Sequence, residues 1–299
     1  MAGSKRSAAE DASMHHLRDE MMQVMPIGAG NEVGRSCIII KYKGRTVMLD
    51  CGIHPGYNGV AALPFFDEID PEEVDLLLIS HFHLDHAASL PYFTEKTGFK
   101  GRIFATHPTW TVMSMLLRDY VRISDLAENE NYLFTEEDLN NCMRKVELID
   151  YHQVLEACGV RFWCYNAGHV LGAAMFMLEL GGVHVLYTGD YSMEDDRHLM
   201  AAEVPAVSPD VLIVESTFGL KVRRRALQPT RRRRRPLFFF IDQRDEPCFA
   251  VEVVYSVLVR EDLFFLNSPR CAGYHFTEVV VPSESKGEHD WADQAPADE

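Results

Sequence analysis

No apolar run in this 299-residue chain approaches the roughly 18 to 20 residues that a membrane-spanning helix needs. Residues 1–22 mix Lys5, Arg6, Glu10, Asp11, Asp19 and Glu20 and hold no apolar signal core. No membrane partner is therefore expected, and the cytosol or nucleus is the expected compartment. The sequence also has no Cys-x-x-Cys pair. Its seven cysteines, Cys37, Cys51, Cys142, Cys158, Cys164, Cys248 and Cys271, are odd in number, which argues against a disulfide framework or a Cys-rich zinc module and for reduced thiols. Basic side chains are scarce as well: 29 Lys and Arg stand against 45 Asp and Glu, a net charge of −16. The acidic residues 1–220 argue against a broad basic surface for nucleic acid, so any nucleic acid would have to be held by a metal or by partner subunits.

What is present is 47% apolar residues, ample for a closed core, and a length that suggests one large domain or two smaller ones. The charge divides the chain into three parts. Residues 1–220 hold 16 basic and 32 acidic side chains, residues 221–235 hold nine Lys or Arg and no acid, and residues 236–299 hold four basic and 13 acidic. Residues 1–22 read as a disordered leader. The basic run reads as a solvated linker, or as the product of a shifted frame or unspliced message, rather than as a nuclear-localisation or nucleic-acid patch.

Between residues 23 and 219 the pattern is α/β. Residues 36–42 and 46–49 read as two strands around the turn Lys43-Gly44, residues 74–80 as a buried strand, and residues 87–93 as the start of a helix. Residues 102–105 read as a strand, 109–120 as an amphipathic helix, and 135–143 as a helix opened by Thr135 with three acids in its first turn. Strands follow at 153–156, 160–165, 173–180, 183–188 and 211–214, with Cys158-Gly159 and Gly181-Gly182 as turns. Such an order suits two packed sheets covered by helices on their outer faces.

The strongest chemical signal is His81-Phe82-His83-Leu84-Asp85-His86, directly after an apolar run. With this chain's composition, His-x-His-x-Asp-His has a chance of about 2 in 1000 of occurring anywhere, so coincidence explains it poorly. Three imidazoles crowded on one turn repel if protonated and lack partners if buried and neutral, whereas a cation satisfies their nitrogens. Imidazole and carboxylate donors without thiolate suit zinc. Downstream, Gly168-His169 lies in a Gly-flanked loop and Gly189-Asp190 ends a strand; each alone is weak, and their joint presence with the hexapeptide gives them weight. The single histidines His54, His107, His152, His184 and His198 read as structural, and the four methionines between residues 14 and 25 as loose packing.

These motifs, with Leu49-Asp50-Cys51-Gly52, resemble the successive motifs of the metallo-β-lactamase superfamily. Glu215-Ser216-Thr217-Phe218-Gly219 is similar to the first motif of its nucleic-acid-cutting branch, the β-CASP nucleases. Within that branch, Gly28-Ala29-Gly30-Asn31-Glu32-Val33-Gly34-Arg35-Ser36-Cys37, Phe162-Trp163-Cys164-Tyr165 and Gly172-Ala173-Ala174-Met175-Phe176-Met177 resemble the endonuclease subunits of the cleavage and polyadenylation specificity factor. The likeness covers about residues 23–219 and implies a four-layer αββα sandwich there, followed by a divergent, poorly packed tail over residues 220–299.

The resemblance implies two zinc ions: one on His81, His83 and His169, the other on Asp85 and His86, with Asp190 bridging. Two cations about 3.5 to 4 Å apart lower the pKa of a shared water, orient it for in-line attack on phosphorus and offset the charge that develops. Asp85, Glu215 and Asp50 are the candidate catalytic residues, Asp50 by supporting the ligand loops and Glu215 by orienting a downstream histidine. After Gly219 the β-CASP pattern is not recognisable, and His275 and His289 stand in no motif, so a second zinc would lack one protein nitrogen and activity of this chain would be weak. The implied substrate is single-stranded pre-mRNA, the implied partners are the other subunits of that complex, and the implied compartment is the nucleus. Two alternatives stand beside this reading: the related endonuclease of the small-nuclear-RNA processing complex, and a non-catalytic scaffold of the same fold. A lactamase or glyoxalase is disfavoured by Glu215-Ser216-Thr217.

Overall fold

The computed structural model describes residues 21–30, 32–126, 132–216, 255–259, 262–265 and 277–279. The first part of the chain forms strands β1 (Met22–Gly28), β2 (Cys37–Tyr42), β3 (Arg45–Leu49) and β4 (Leu76–Leu78), then helices α1 (Leu84–Ala87) and α2 (Leu90–Lys96). Strand β5 (Arg102–Thr106), helices α3 (His107–Leu126) and α4 (Glu136–Lys145) and strand β6 (Val146–Ile149) complete that half. The second half is built of β7 (Leu155–Ala157), β8 (Val160–Asn166), β9 (Ala174–Leu180), β10 (Val183–Tyr187) and β11 (Val211–Glu215). None of the described helices is long and apolar enough to cross a membrane.

Two sheets result. One runs β1-β2-β3-β4-β5-β6 and the other β11-β10-β9-β8-β7, with β3 to β6 mutually parallel and β10 parallel to β11. The turn between β2 and β3 has φ +47° at Lys43 and +70° at Gly44, with Tyr42 paired to Arg45. Two positive φ values in a two-residue loop match the right-handed twist of the strands it joins.

Alternation along the strands sorts side chains between two cores. Ile38, Ile40, Val47, Leu49, Leu76 and Leu78 pack between the sheets against Phe162, Phe176, Leu178, Val185, Tyr187 and Ile213. Ile39, Met48 and Leu77 point the other way, into a core with Phe93 of α2, Leu117 of α3 and Leu139 of α4. Each fully buried large apolar side chain contributes about 1.5 to 3 kcal/mol. A third cluster, including Trp163, Met175, Met177 and Leu186, lies on the outer face of the second sheet, and none of the described helices covers it. Helices, sheet and sheet are thus three of the four expected layers among the described residues.

The expected elements are present, with differences that have local causes. Only Leu76–Leu78 of the 74–80 run is strand, because the chain leaves the sheet to deliver His81. The helix expected from residue 87 is two short ones, the first capped by His83 and the second starting with Pro91 in its first turn. Helix α4 opens with the capping box of Thr135 and Asp138 and passes straight into β6, a strand without a separating turn signal. Three described segments beyond residue 219 pair with the two sheets. Strands β12 (Tyr255–Val259) and β13 (Asp262–Phe265) extend the second sheet beyond β11, and β14 (Thr277–Val279) pairs with β1. Open sheet edges supply backbone donors and acceptors to any extended segment within reach, irrespective of its side-chain pattern. The leader and the basic run lie outside the described residues.

Candidate metal centre

The site collects where strands of both sheets end. Strand β3 delivers Asp50, β4 leads through Ser80 into the 81–86 loop, the β8–β9 connection carries His169, and β10 is followed by Thr188, Gly189 and Asp190. Backbone bonds lock these segments together: Asp50 N donates to Leu78 O at 2.9 Å, Cys51 N to His86 O at 2.8 Å, and Ser36 N to Asp85 O at 2.8 Å. Gly52 is required by close approach, since a Cβ there would lie 1.7 Å from Asp85 O. The His169 loop is pinned by the Thr106 and Thr109 hydroxyls, which donate to Gly172 O at 2.6 and 3.0 Å.

Ligand atoms of His81, His83, His169 and Asp190 all lie within 4.8 Å of one another, a grouping that could hold a metal ion. His81 Nε2 is 2.9 Å from His83 Nδ1, and His169 Nε2 is 3.3 Å from the same nitrogen. The carboxylate of Asp190 divides its oxygens. Oδ2 faces His169 Nε2 at 3.6 Å and His81 Nε2 at 3.9 Å, while Oδ1 faces His86 Nε2 at 3.4 Å. Asp85 Oδ2 stands 3.9 Å from that same His86 nitrogen. The structure thus gathers all six residues expected as ligands, four in one group and Asp85 and His86 on the other side of Asp190.

Electrostatics separate the histidines. Burial, reinforced by the neighbouring imidazoles His86, His83 and His169, holds His81 well below its ordinary pKa. His83 and His169 are also lowered, chiefly by burial, with Asp85 and Asp190 opposing. At neutral pH these three are neutral and carry lone pairs. His86 goes the other way, to about 9: burial lowers it, but Asp190, Asp50 and Asp85 together outweigh that.

Asp50 does not join the converging group. It is fully buried behind His86, with its Oδ2 2.7 Å from His86 Nδ1. Glu215 ends β11, its amide donating to Thr188 Oγ1 at 3.3 Å. It lies near enough to Tyr191 to help burial push that phenol up to about 12, and it is not among the four side chains that converge. Sequence reasoning did not single out Ser36, Ser80 or Tyr187 as individual residues. Ser36 Oγ is 3.4 Å from His86 Nε2, and Ser80 and Tyr187 both reach Asp50. The only signal for them was position, next to a motif residue or three residues before one.

The superfamily fold model that matches this chain is described as a metallo-beta-lactamase superfamily domain, and it matches residues 39–213. The chain belongs to that superfamily. An Arabidopsis thaliana relative, cleavage and polyadenylation specificity factor subunit 3-I, is 55% identical over 222 residues, covering 74% of this chain and 32% of the relative. Cleavage and polyadenylation specificity factor subunit 3 of Dictyostelium discoideum is 48% identical over 257 residues, 84% of this chain and 33% of the relative. Endoribonuclease ysh1 of Schizosaccharomyces pombe is 57% identical over 200 residues, 67% of this chain and 26% of the relative. The chain therefore spans about a third or less of the length of these curated relatives. The donor chemistry of this metallo-β-lactamase domain fits a metal: three imidazoles held below their ordinary pKa and a carboxylate converge.

Proposed function

We propose that this chain carries the metal centre of a zinc-dependent endoribonuclease that hydrolyses a phosphodiester of single-stranded pre-mRNA during 3′-end cleavage and polyadenylation. The observation that carries the reading is the division of Asp190: one carboxylate oxygen faces His86 and the other faces His81 and His169, as a ligand shared by two cations can. His81, His83 and His169 would hold one zinc, Asp85 and His86 the other, and Asp190 both. Bound zinc would supply Lewis acidity and a water of lowered pKa.

The protein's own groups do the rest. His81 and His83 are presented on a single segment whose following turn is tied by backbone bonds to Ser36, Cys51 and Ile53, so their spacing is set before any ligand arrives. Asp50 accepts from His86 Nδ1–H, which turns Nε2 toward Asp85 and Asp190. In this reading Glu215, whose amide bonds Thr188 Oγ1 beside the 188–191 segment, would orient a proton donor. Residues 23–219 form the metallo-β-lactamase unit in this reading, and residues 220–299 a separate tail that contributes edge strands. The names of the relatives support a nuclear protein working with other subunits of a cleavage and polyadenylation complex.

Elemental analysis of the purified chain, paired with a labelled single-stranded RNA in the presence and absence of chelator, tests this reading. Two zinc ions per chain and chelator-sensitive cleavage are expected. A chain that takes up no zinc, or cleaves equally in chelator, overturns it.

A further inference from the structure

The fully buried Asp50 carboxylate receives four donors. Ser80 N–H reaches Oδ1 at 2.6 Å; Ser80 Oγ–H at 2.7 Å, His86 Nδ1–H at 2.7 Å and Tyr187 O–H at 2.6 Å reach Oδ2. Ser80 Oγ also lies 3.0 Å from His81 Nδ1. A hydroxyl has one proton, and that of Ser80 goes to the carboxylate. Towards His81 the Ser80 oxygen can then only accept, so the His81 proton sits on Nδ1 and the Nε2 lone pair faces His83 and Asp190. The same logic requires a proton on His86 Nδ1, because a carboxylate donates nothing.

We propose that Ser80 is a positioning residue: Asp50 accepts its hydroxyl proton in a hydrogen bond, so that Ser80 Oγ holds a proton on His81 Nδ1 while Asp50 holds one on His86 Nδ1, and one buried carboxylate prepares both rings at once. Tyr187 is the second positioning residue. It belongs to β10 of the second sheet, three residues before Asp190, and bonds to an aspartate that ends β3 of the first sheet. The hydroxyl thereby ties the strand that presents Asp190 to the carboxylate that orients His86. All four groups are enclosed, with Asp50 and Tyr187 at 0% exposure and Ser80 at 1%, so water does not compete for these bonds. Outer partners of this kind fix ring orientation and raise the donor strength of ligating histidines.

This inference rests on the metal-centre reading above, and the test separates the two. Heteronuclear NMR of the imidazole rings in the full chain should show the His81 and His86 protons on Nδ1. Ser80→Ala should then lose the single His81 tautomer and weaken zinc affinity by about 10- to 100-fold, the range for such partners. Tyr187→Phe should weaken zinc affinity while His81 keeps its Nδ1 proton. A His81 proton on Nε2 in the unaltered protein, or unchanged zinc affinity in folded Ser80→Ala, overturns the proposal. Should Ser80→Ala not fold, the unaltered protein's ring spectra and Tyr187→Phe still decide it. If the unaltered chain takes up no zinc at all, the metal-centre reading falls, while the ring spectra still judge the relay.

Discussion

Asp190 meets His86 with one carboxylate oxygen and His169 with the other: Oδ1 is 3.4 Å from His86 Nε2 and Oδ2 is 3.6 Å from His169 Nε2. One side chain on the turn after β10 therefore belongs to both donor groups, and its loss should differ in kind from the loss of any histidine. Asp190→Ala is expected to deplete zinc from both groups, whereas Asp85→Ala should spare the group of His81, His83 and His169. Metal-to-protein ratios by elemental analysis check this, and equal residual zinc in the two variants would contradict it.

Within the first group, His83 Nδ1 is the nitrogen nearest both His81 and His169, at 2.9 and 3.3 Å. Replacing His83 and His169 together by Ala leaves two of four donors, too few for a tetrahedral zinc site. Zinc bound by that group should fall to near zero while far-ultraviolet circular dichroism stays native. Unchanged zinc stoichiometry would sink the assignment.

Tyr42 offers a test away from the site. It is 3% exposed in the core between the sheets, and its hydroxyl has no hydrogen-bond partner among the described residues. A buried hydroxyl left unsatisfied costs about 1 to 3 kcal/mol, and removing it leaves the ring packing in place. Tyr42→Phe should therefore stabilise by about 1 kcal/mol, or some 2 to 4 °C in Tm for a domain of this size. A lower Tm by calorimetry would mean that the hydroxyl is satisfied after all.

Alkaline pH should unfold the domain in a predictable window. Burial, with Cys164 and Glu203 beside it, pushes the Tyr151 phenol up to about 12. Burial with Asp150 and Glu203 raises Cys164 to about 12, and burial, partly offset by Thr94, does the same to Cys142. Unfolded thiols and phenols ionise near 8.5 and 10. Between those values and about 12 the folded chain retains protons that the unfolded chain has released, so stability falls as pH rises. It is intact below about pH 8 and declines from there to about pH 12, the thiols contributing first and the phenol from about pH 10, at about 1.4 kcal/mol per pH unit for each such proton. Urea midpoints measured across that range under reducing conditions should drop; a flat profile refutes the assignment.

The sequence was most readable where chemistry and local geometry coincide. The Lys43-Gly44 turn and the Thr135 cap are set by neighbouring residues, and both stand where their signals lie. The six donor residues were readable because their residue types are rare together, and the fold brings them together. Strand β6 was not readable, since its Val146, Glu147, Leu148 and Ile149 lie buried, exposed, exposed and buried, without the alternation that marks a strand. Strand β1 was obscured by Pro26, beside which the pairing register shifts. Ser80 and Tyr187 were invisible for a different reason. Their roles depend on meeting Asp50 from two sheets, and no local pattern encodes that meeting.

The last prediction concerns cleavage by this chain itself. The resemblance assigns two further histidines to the region after Gly219, one completing the second zinc site and one protonating the leaving oxygen, and no motif there supplies them. Losing one electrostatic contributor typically costs about 2.7 to 4 kcal/mol, or roughly a hundred- to a thousand-fold in rate. Two independent losses would cost on the order of 10⁴- to 10⁶-fold, and groups acting as one unit lose less than that sum. The donor group of His81, His83, His169 and Asp190 is complete, so cleavage should be slow rather than nil. A labelled single-stranded RNA incubated with zinc-loaded chain should thus be cut weakly, with no product after chelation and none from Asp85→Ala. Brisk cleavage by residues 1–299 alone would show that the two missing histidines matter little. Cleavage that survives in Asp85→Ala would remove the second donor group from the mechanism.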